Sequence, residues 1–163
     1  MEFQLAMAKD KNSDRLDRSP IHLLHRAGQC AADLFQGELS DGGLTPRQYA
    51  VLVTVSLNEG LSQTGLVERT GIDRSTLADI IRRMIKKGLL QRRRTKEDAR
   101  AYAVRLTEEG NRVLRAADPL ARKVDDRLLS VLSATERERF LQDLGKIVRM
   151  LGTMTPDSGG KEK

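Results

Sequence analysis

The sequence is poor in cysteine and in aromatic residues. Its 163 residues include one cysteine, no tryptophan, two tyrosines and three phenylalanines. The lone cysteine, Cys30, has no second cysteine with which to form a disulfide in the chain, which favours a reducing compartment such as the cytoplasm. Recognition of single-stranded nucleic acid depends on bases stacking on aromatic side chains. The few aromatic residues therefore argue against an RNA or single-strand binder.

Long apolar runs and groups suited to catalysis are also scarce. The apolar runs are only a few residues long, and no charged start is followed by an apolar stretch, which argues against a membrane span or a secretory signal. Two histidines, one cysteine and no glycine-rich phosphate loop offer little for nucleophilic or metal chemistry. We therefore expect a cytoplasmic, single-domain protein that is not an enzyme and holds no cofactor or metal.

Positive charge is concentrated in one part of the chain. The net charge is +6, yet residues 74–105 alone contain eleven Lys or Arg against three acidic residues. A local positive field indicates an anionic partner, and phosphate backbones are the commonest partner for such a cluster. An acidic membrane surface is the weaker alternative, because the neighbouring apolar residues include no large aromatic anchors.

The segment from Asp73 to Leu90, DRSTLADIIRRMIKKGLL, predicts one amphipathic helix. At about 100° per residue, its apolar side chains share one face: Leu77, Ile80, Ile81, Met84 and Ile85. The polar face carries Ser75, Thr76, Asp79, Arg82, Arg83, Lys86 and Lys87. Asp73 is suited to cap the first turn and Gly88 to end the last one, so the helix should run from about Arg74 to Lys87.

Helices and a hairpin surround this segment. Helical spacing or capping residues predict helices at about 20–39, 45–57, 62–70, 107–131 and 135–151. Alternation at 102–106 predicts a strand that pairs with 89–94 across an exposed tip. The helix after Thr107 has an apolar stripe of Val113, Ala117, Leu120, Val124, Leu128 and Val131, with a kink expected at Pro119.

The order of these elements predicts a mainly α fold with a small β-wing. Two short helices joined by a tight turn form a helix-turn-helix, and the hairpin that follows makes it a winged helix, spanning 44–106 within a single unit of 19–151. Residues 19–41 and 107–151 have apolar stripes larger than so small a module needs, so we predict that they form a homodimer. We expect a flexible arm at 1–18 and a disordered tail at 152–163.

The predicted helix from Arg74 has the features of a helix that enters the major groove of duplex DNA. Arg74, Ser75 and Thr76 at its front would lie nearest base edges and phosphates, while Arg82 and Arg83 would reach the backbone. Gln63 and Thr64, at the front of the preceding helix, are candidate phosphate contacts. Asp79 either accepts a hydrogen bond from a cytosine amine or pairs with Arg82 or Arg83, and we favour the pairing.

The hairpin holds more arginine than strand pairing requires. The candidate DNA contacts there are Arg92, Arg94, Lys96, Asp98 and Arg100. An exposed tip that carries arginine suits the narrow minor groove, where the negative potential is strongest. Asp98 would hold the Arg100 guanidinium in a fixed pose, although an exposed pair of little energetic value is the simpler interpretation.

These motifs resemble the MarR family of bacterial transcriptional regulators. The resemblance rests on LTPRQYAVL, STLADIIRRMIKKGLLQRR, DAR at 98–100 and LTEEG at 106–110, and it covers about residues 20–151. It implies a homodimeric winged-helix repressor that binds a pseudo-palindromic operator and is released by a small ligand. It also implies that Arg100 is the wing arginine, that Asp98 orients it, and that Ser75 and Thr76 open the recognition helix. Three consecutive arginines at 92–94 exceed the pattern of the family.

The candidate effector site lies on the first predicted helix. His22, Arg26 and Cys30 share one face of the first helix and are candidate ligand-binding residues, Arg26 facing a carboxylate. An ordinary boundary face explains the same spacing. The resemblance implies an aromatic acid or its coenzyme A thioester as the effector, and the alternative is a thiol-based redox repressor that uses Cys30. A pure protein-interaction module is a further alternative, and it predicts no salt-sensitive affinity for duplex DNA.

Overall fold

The computed structural model describes residues 15–39, 43–58, 60–94 and 102–154. The helices are α1 (Pro20–Glu38), α2 (Pro46–Leu57), α3 (Gln63–Thr70), α4 (Arg74–Lys86), α5 (Glu108–Leu128) and α6 (Ala134–Met154), and the strands are β1 (Leu90–Arg94) and β2 (Tyr102–Leu106). A helical turn at 15–17 lies within the predicted arm, and α6 extends three residues into the predicted tail. The rest of both predicted segments, 1–14 and 155–163, lies outside the described residues.

The helices begin where their capping residues predict. The Thr45 hydroxyl accepts from the Gln48 amide at 3.3 Å, and the Gln48 side chain accepts from the Thr45 amide at 3.1 Å, which completes a capping box for α2. Ser62 caps α3, and Gly71 ends it in the left-handed conformation at φ 66°. The helix-turn-helix is therefore specified largely by local side-chain to backbone bonds.

The core lies under α4. Leu77, Ile81 and Met84 are completely buried and pack with Leu52 of α2 and Leu66 of α3. At about 25 cal/mol per Å² of apolar surface, burial of this face is what fixes the orientation of α4. The opposite, polar face therefore points to solvent.

The wing is a two-stranded antiparallel sheet. The predicted pairing of the two strands is confirmed, and its register pairs Leu90 with Leu106 and Arg94 with Tyr102. The Val104 amide donates to the Leu61 carbonyl oxygen at 3.0 Å, which attaches the wing to the start of α3. The wing therefore has a fixed base in the helix-turn-helix.

A close approach joins α5 to the start of the wing. The Thr107 hydroxyl donates to the Gly88 carbonyl oxygen at 2.5 Å, and its oxygen accepts from the Gly110 amide at 2.9 Å. A Cβ atom at Gly110 would lie 2.1 Å from the Leu89 carbonyl oxygen. The glycine of the LTEEG motif is therefore required by backbone contact.

The buried side of α5 differs from the predicted stripe. Its buried residues are Gly110, Leu114, Ala117, Ala121 and Val124. Leu120 is 36% exposed, and Val131, which follows the end of the helix, is 87% exposed. The predicted Ala117 and Val124 are buried, and Val113 and Leu128 are half-buried. Close packing against α1 and α2 also brings the small Ala121 inward, a position that the stripe did not include. The helix continues past Pro119, and the kink there stays a prediction.

The two outer helices expose apolar side chains. Ile21 on α1 is 80% exposed, and Val148 and Leu141 on α6 are 63% and 55% exposed. No side chain described in α6 is buried. Within the described residues, no helix combines the length and apolar character needed to cross a membrane.

Candidate nucleic-acid interface

The front of α4 is ordered by Asp73. Its carboxylate accepts from the Thr76 amide at 2.9 Å and from the Ser75 hydroxyl at 2.8 Å. These hydrogen bonds, led by that of the Thr76 amide, lower the pKa of Asp73 to about 2. Arg74 and Ser75 are exposed and Thr76 is half-buried. Because its proton is used in the cap, the Ser75 oxygen can accept a hydrogen bond from a base, and Ser75 can donate to a phosphate oxygen only after its hydroxyl rotates.

Asp79 binds two arginines on the same face. One carboxylate oxygen contacts an Arg82 terminal nitrogen, and the other lies 2.7 Å from Nε of Arg83. The predicted pairing of Asp79 is confirmed for both arginines. Their side chains remain 77% and 69% exposed, whereas that of Asp79 is 35% exposed.

The wing brings a further arginine to α4. Alternation along β1 places Arg92 and Arg94 on the face opposite Gln91 and Arg93. Arg92 and the α4 residues Ser75, Ala78, Asp79, Arg82 and Ile85 line a concavity of about 550 Å³, which we call the α4–wing concavity. The Arg94 guanidinium lies 5.9 Å from the centroid of the Tyr102 ring, a cation–π contact that orients it.

The other predicted DNA contacts are not among the described residues that line the α4–wing concavity. Gln63 and Thr64 open α3, where Gln63 is half-buried and Thr64 exposed, and neither lines the α4–wing concavity. Lys96, Asp98 and Arg100 lie outside the described residues. Arg93 lines a separate cleft of about 240 Å³ with Arg105 and Asn111, so the three consecutive arginines do not act on one surface.

Sequence reasoning missed Arg47. This exposed side chain in the first turn of α2 lines a hollow of about 340 Å³ with Gly71 and Asp73, beside the turn of the helix-turn-helix. Its charge contributes to the low pKa of Asp73. The feature that could have indicated it in the sequence is a basic residue directly after Pro46, the first residue of α2. Only the three-dimensional turn shows that this residue lies next to the front of α4.

A larger cleft lies between the winged helix and the helices α1 and α5. Its volume is about 750 Å³. The lining residues are Glu38, Leu39, Gly43, Leu44, Lys87, Leu89, Glu109, Arg112, Val113, Ala116, Ala117 and Leu120. Glu38 binds Lys123 at 2.8 Å, and Glu109 binds Arg112 at 2.5 Å. Both lining carboxylates therefore face basic groups, and Lys87 adds an ammonium group.

The predicted ligand-binding residues lie elsewhere in this chain. His22 is half-buried, Arg26 and Cys30 are exposed, and none of the three lines the 750 Å³ cleft. Their role in ligand binding therefore stays a prediction. The cleft is formed by residues distant in sequence, which is why helical spacing along α1 did not reveal it.

One polar contact crosses between the winged helix and α5. The Tyr49 hydroxyl donates to an Asp118 carboxylate oxygen at 2.9 Å, and its ring lies 5.6 Å from that of Phe35 on α1. Burial, followed by the hydrogen bond to Asp118, raises the pKa of Tyr49 to about 12. Tyr49 therefore contacts both α1 and α5.

Comparison with known sequences agrees with this arrangement. The MarR family profile matches residues 42–101. The transcriptional regulator HosA of Escherichia coli is 37% identical over 133 residues, which cover 82% of this chain and 97% of HosA. The transcriptional repressor NicR of Pseudomonas putida is 32% identical over 144 residues, which cover 84% of this chain and 91% of NicR.

Solved structures show the same fold. The PcaV regulator of Streptomyces coelicolor, in complex with its natural ligand, superposes with a TM-score of 0.77 at 34% identity, over 82% of this chain and 94% of PcaV. The repressor CouR, bound to a 23-mer DNA duplex, gives a TM-score of 0.76 at 29% identity, over 82% and 94%. BpsR of Bordetella bronchiseptica, whose DNA binding is regulated by 6-hydroxynicotinic acid, gives 0.76 at 28% identity, over 80% and 93%. The predicted winged-helix fold is confirmed.

Proposed function

This chain belongs to the MarR family of transcriptional regulators, and from that premise we propose that it is a homodimeric repressor of specific operators that a small ligand releases from DNA. The observation that carries the proposal is the α4–wing concavity, where Ser75, Arg82 and Arg92 converge from two elements. A bacterial operator lies in the cytoplasm, which is therefore the proposed location.

The geometry of α4 supports duplex recognition. Leu77, Ile81 and Met84 anchor its apolar face in the core, so its polar face and N-terminal turn project outward as one rigid edge that fits the major groove. Arg92 and Arg94 extend this edge along the wing, and Arg47 extends it on the other side. CouR, of similar fold, is bound to a DNA duplex. The arginines would supply salt-dependent phosphate contacts and the front of α4 the sequence preference.

The outer helices support a homodimer. Ile21, Leu23 and Leu24 expose an apolar surface on α1. Phe140, Leu141, Ile147 and Val148 do so on α6. Exposed apolar surface of this extent is typical of an interface between subunits. A two-fold dimer would place two copies of α4 on one duplex, with half-sites about one helical turn, roughly 34 Å, apart.

We place the effector in the 750 Å³ cleft. Its volume is in the range of small-molecule sites, and its wall is formed by α1, α5 and the segment that follows α4. An occupant would therefore contact α1, α5 and the end of the DNA-reading helix. Lys87 and Arg112 would bind a carboxylate, and Leu89, Val113 and Leu120 an aromatic ring. An aromatic acid or its coenzyme A thioester fits this lining. The relation of BpsR to 6-hydroxynicotinic acid supports the first class.

Footprinting tests the proposal. The chain should protect a pseudo-palindromic site beside its own gene, and one of a panel of aromatic acids and thioesters should abolish the footprint. The variant Lys87→Ala should still bind DNA but need more ligand for release, whereas Lys146→Ala, distant from the cleft in sequence and on α6, should respond normally. Binding at a single unpaired half-site, or no protection at low ionic strength, would contradict the proposal.

The redox alternative rests on one exposed thiol. Cys30 is accessible on α1, so an oxidant can reach it. Peroxide should release the wild-type chain from its operator and leave Cys30→Ser bound if this alternative is correct. Equal behaviour of the two proteins would eliminate it.

A further inference from the structure

Asp79 is an acidic residue placed where DNA phosphates should approach. It is the single carboxylate in α4, and it lies in the α4–wing concavity between Ser75, Arg82 and Arg92. A carboxylate there repels phosphates and costs affinity for every duplex alike. Its position on the DNA-facing side of α4 therefore calls for a role beyond affinity.

The ion pairs of Asp79 restrain two DNA-facing arginines. Both carboxylate oxygens are used, one by Arg82 and one by Arg83 at 2.7 Å. Each guanidinium is thus held along the helix surface although most of its side chain is exposed. To reach the phosphates of an arbitrary duplex, either arginine must leave the carboxylate, and Asp79 then stays behind as an unpaired negative charge near DNA.

We propose that Asp79 is a specificity-determining residue, which acts by holding Arg82 and Arg83 so that they contribute to operator binding but little to binding of unrelated DNA. This inference rests on the proposed function. Non-specific binding consists almost wholly of phosphate contacts, so restraint of two arginines weakens it most. Operator binding adds base contacts, and arginines already fixed in one pose lose less rotamer freedom when they form such contacts.

The test compares Asp79→Asn with Asp143→Asn. Asp143 on α6 also binds two basic side chains, Lys146 at 3.0 Å and Arg139 at 3.8 Å, so the two variants remove the same charge from similar surface clusters. The probes are the duplex that the wild-type chain enriches from a random-sequence pool and a scrambled duplex of the same composition. Affinities are measured over a range of salt concentrations.

Asp79→Asn should bind the scrambled duplex about tenfold more tightly and lose about tenfold in the ratio of enriched to scrambled affinity. Its log-salt slope on the scrambled duplex should steepen by about one to two, since each arginine set free can neutralise one phosphate. Asp143→Asn should keep both affinities within about twofold. Asp79→Glu, which keeps the charge and the helical pairing, should retain the wild-type ratio.

A further variant separates restraint from simple repulsion. When Arg82 and Arg83 are both changed to Gln, Asp79→Asn should no longer change the ratio of enriched to scrambled affinity, because direct repulsion by the carboxylate acts on both duplexes alike. A change in the ratio that persists without the two arginines would show that Asp79 acts independently of them and would overturn the proposal, as would an unchanged affinity ratio in Asp79→Asn. If the wild-type chain enriches no sequence at all, the proposed function itself fails. A chain that enriches a duplex but shows no effect of Asp79→Asn refutes only this inference.

Discussion

Gly110 shows how much one missing side chain can determine. Any Cβ at this position would lie 2.1 Å from the Leu89 carbonyl oxygen, a backbone atom that cannot rotate away. Gly110→Ala should therefore lower the free energy of unfolding by about 2 kcal/mol or more, although alanine is the better helix former. Urea denaturation measures the change.

Gly28 supplies the matched control for that substitution. It also lies in a helix, α1, but nothing lies within 4 Å of a Cβ atom placed there. Gly28→Ala should raise stability by about 0.5 to 1 kcal/mol. A stabilising effect of alanine at both glycines would refute the close approach between α5 and Leu89.

Asp73 should make stability depend on pH in the acid range. Its pKa is lowered in the folded chain to about 2 from a usual 3.8, so its stabilising effect is complete above about pH 4 and is lost as pH falls towards 2. Urea denaturation gives the free energy of unfolding of the wild type and of Asp73→Asn at each pH. The wild-type value minus the variant value should be constant from pH 6 to 5 and smaller at pH 3. A difference that is independent of pH would contradict the cap geometry.

Elements that are specified by neighbouring residues were predictable from the sequence. The caps at Thr45, Ser62, Asp73 and Thr107 each bind a backbone amide three residues away, so the sequence alone predicts where those helices begin. Period-two alternation likewise predicted the two paired strands of the wing. By contrast, Arg47 and the cleft around Lys87 depend on packing between distant segments, and no local pattern indicates them.

The contact between α2 and α5 can be tested at Tyr49. Tyr49→Phe removes the hydroxyl that donates to Asp118, and we expect a loss of about 1 kcal/mol in the free energy of unfolding. Because the pKa of Tyr49 is raised to about 12, its contribution should be complete below pH 10 and disappear as pH rises through 12.

Tyr102→Phe is the control for Tyr49→Phe. Tyr102 is 47% exposed, and its contact with Arg94 uses the ring. Its stability should change by less than about 0.5 kcal/mol. Equal effects at the two tyrosines would contradict a specific tie between α2 and α5.

At the scale of the whole molecule, charge and apolar surface lie on different helices. The basic residues of 74–94 lie in α4, its C-cap Lys87 and β1. The exposed apolar residues Ile21, Leu141 and Val148 belong to α1 and α6. The sequence indicated this division through local charge and apolar stripes. It indicated Ala117 and Val124, which are buried in α5, but not Leu114 and Ala121, which are buried as well, and it included Leu120, which is exposed.

The proposed dimer makes DNA affinity depend on residues far from α4. Val148→Glu places a charge on the exposed apolar face of α6, where it would be buried between subunits, so the chain should sediment as a monomer and lose most of its operator affinity. Leu57→Glu makes a similar change at a side chain that is 77% exposed on α2 and should leave the dimer intact. Both proteins should keep their helical circular dichroism, since neither residue lies in the core. A Val148→Glu protein that stays dimeric would show that α6 does not join the subunits. A monomer that protects two half-sites as well as the wild type does would show that operator affinity does not depend on the dimer.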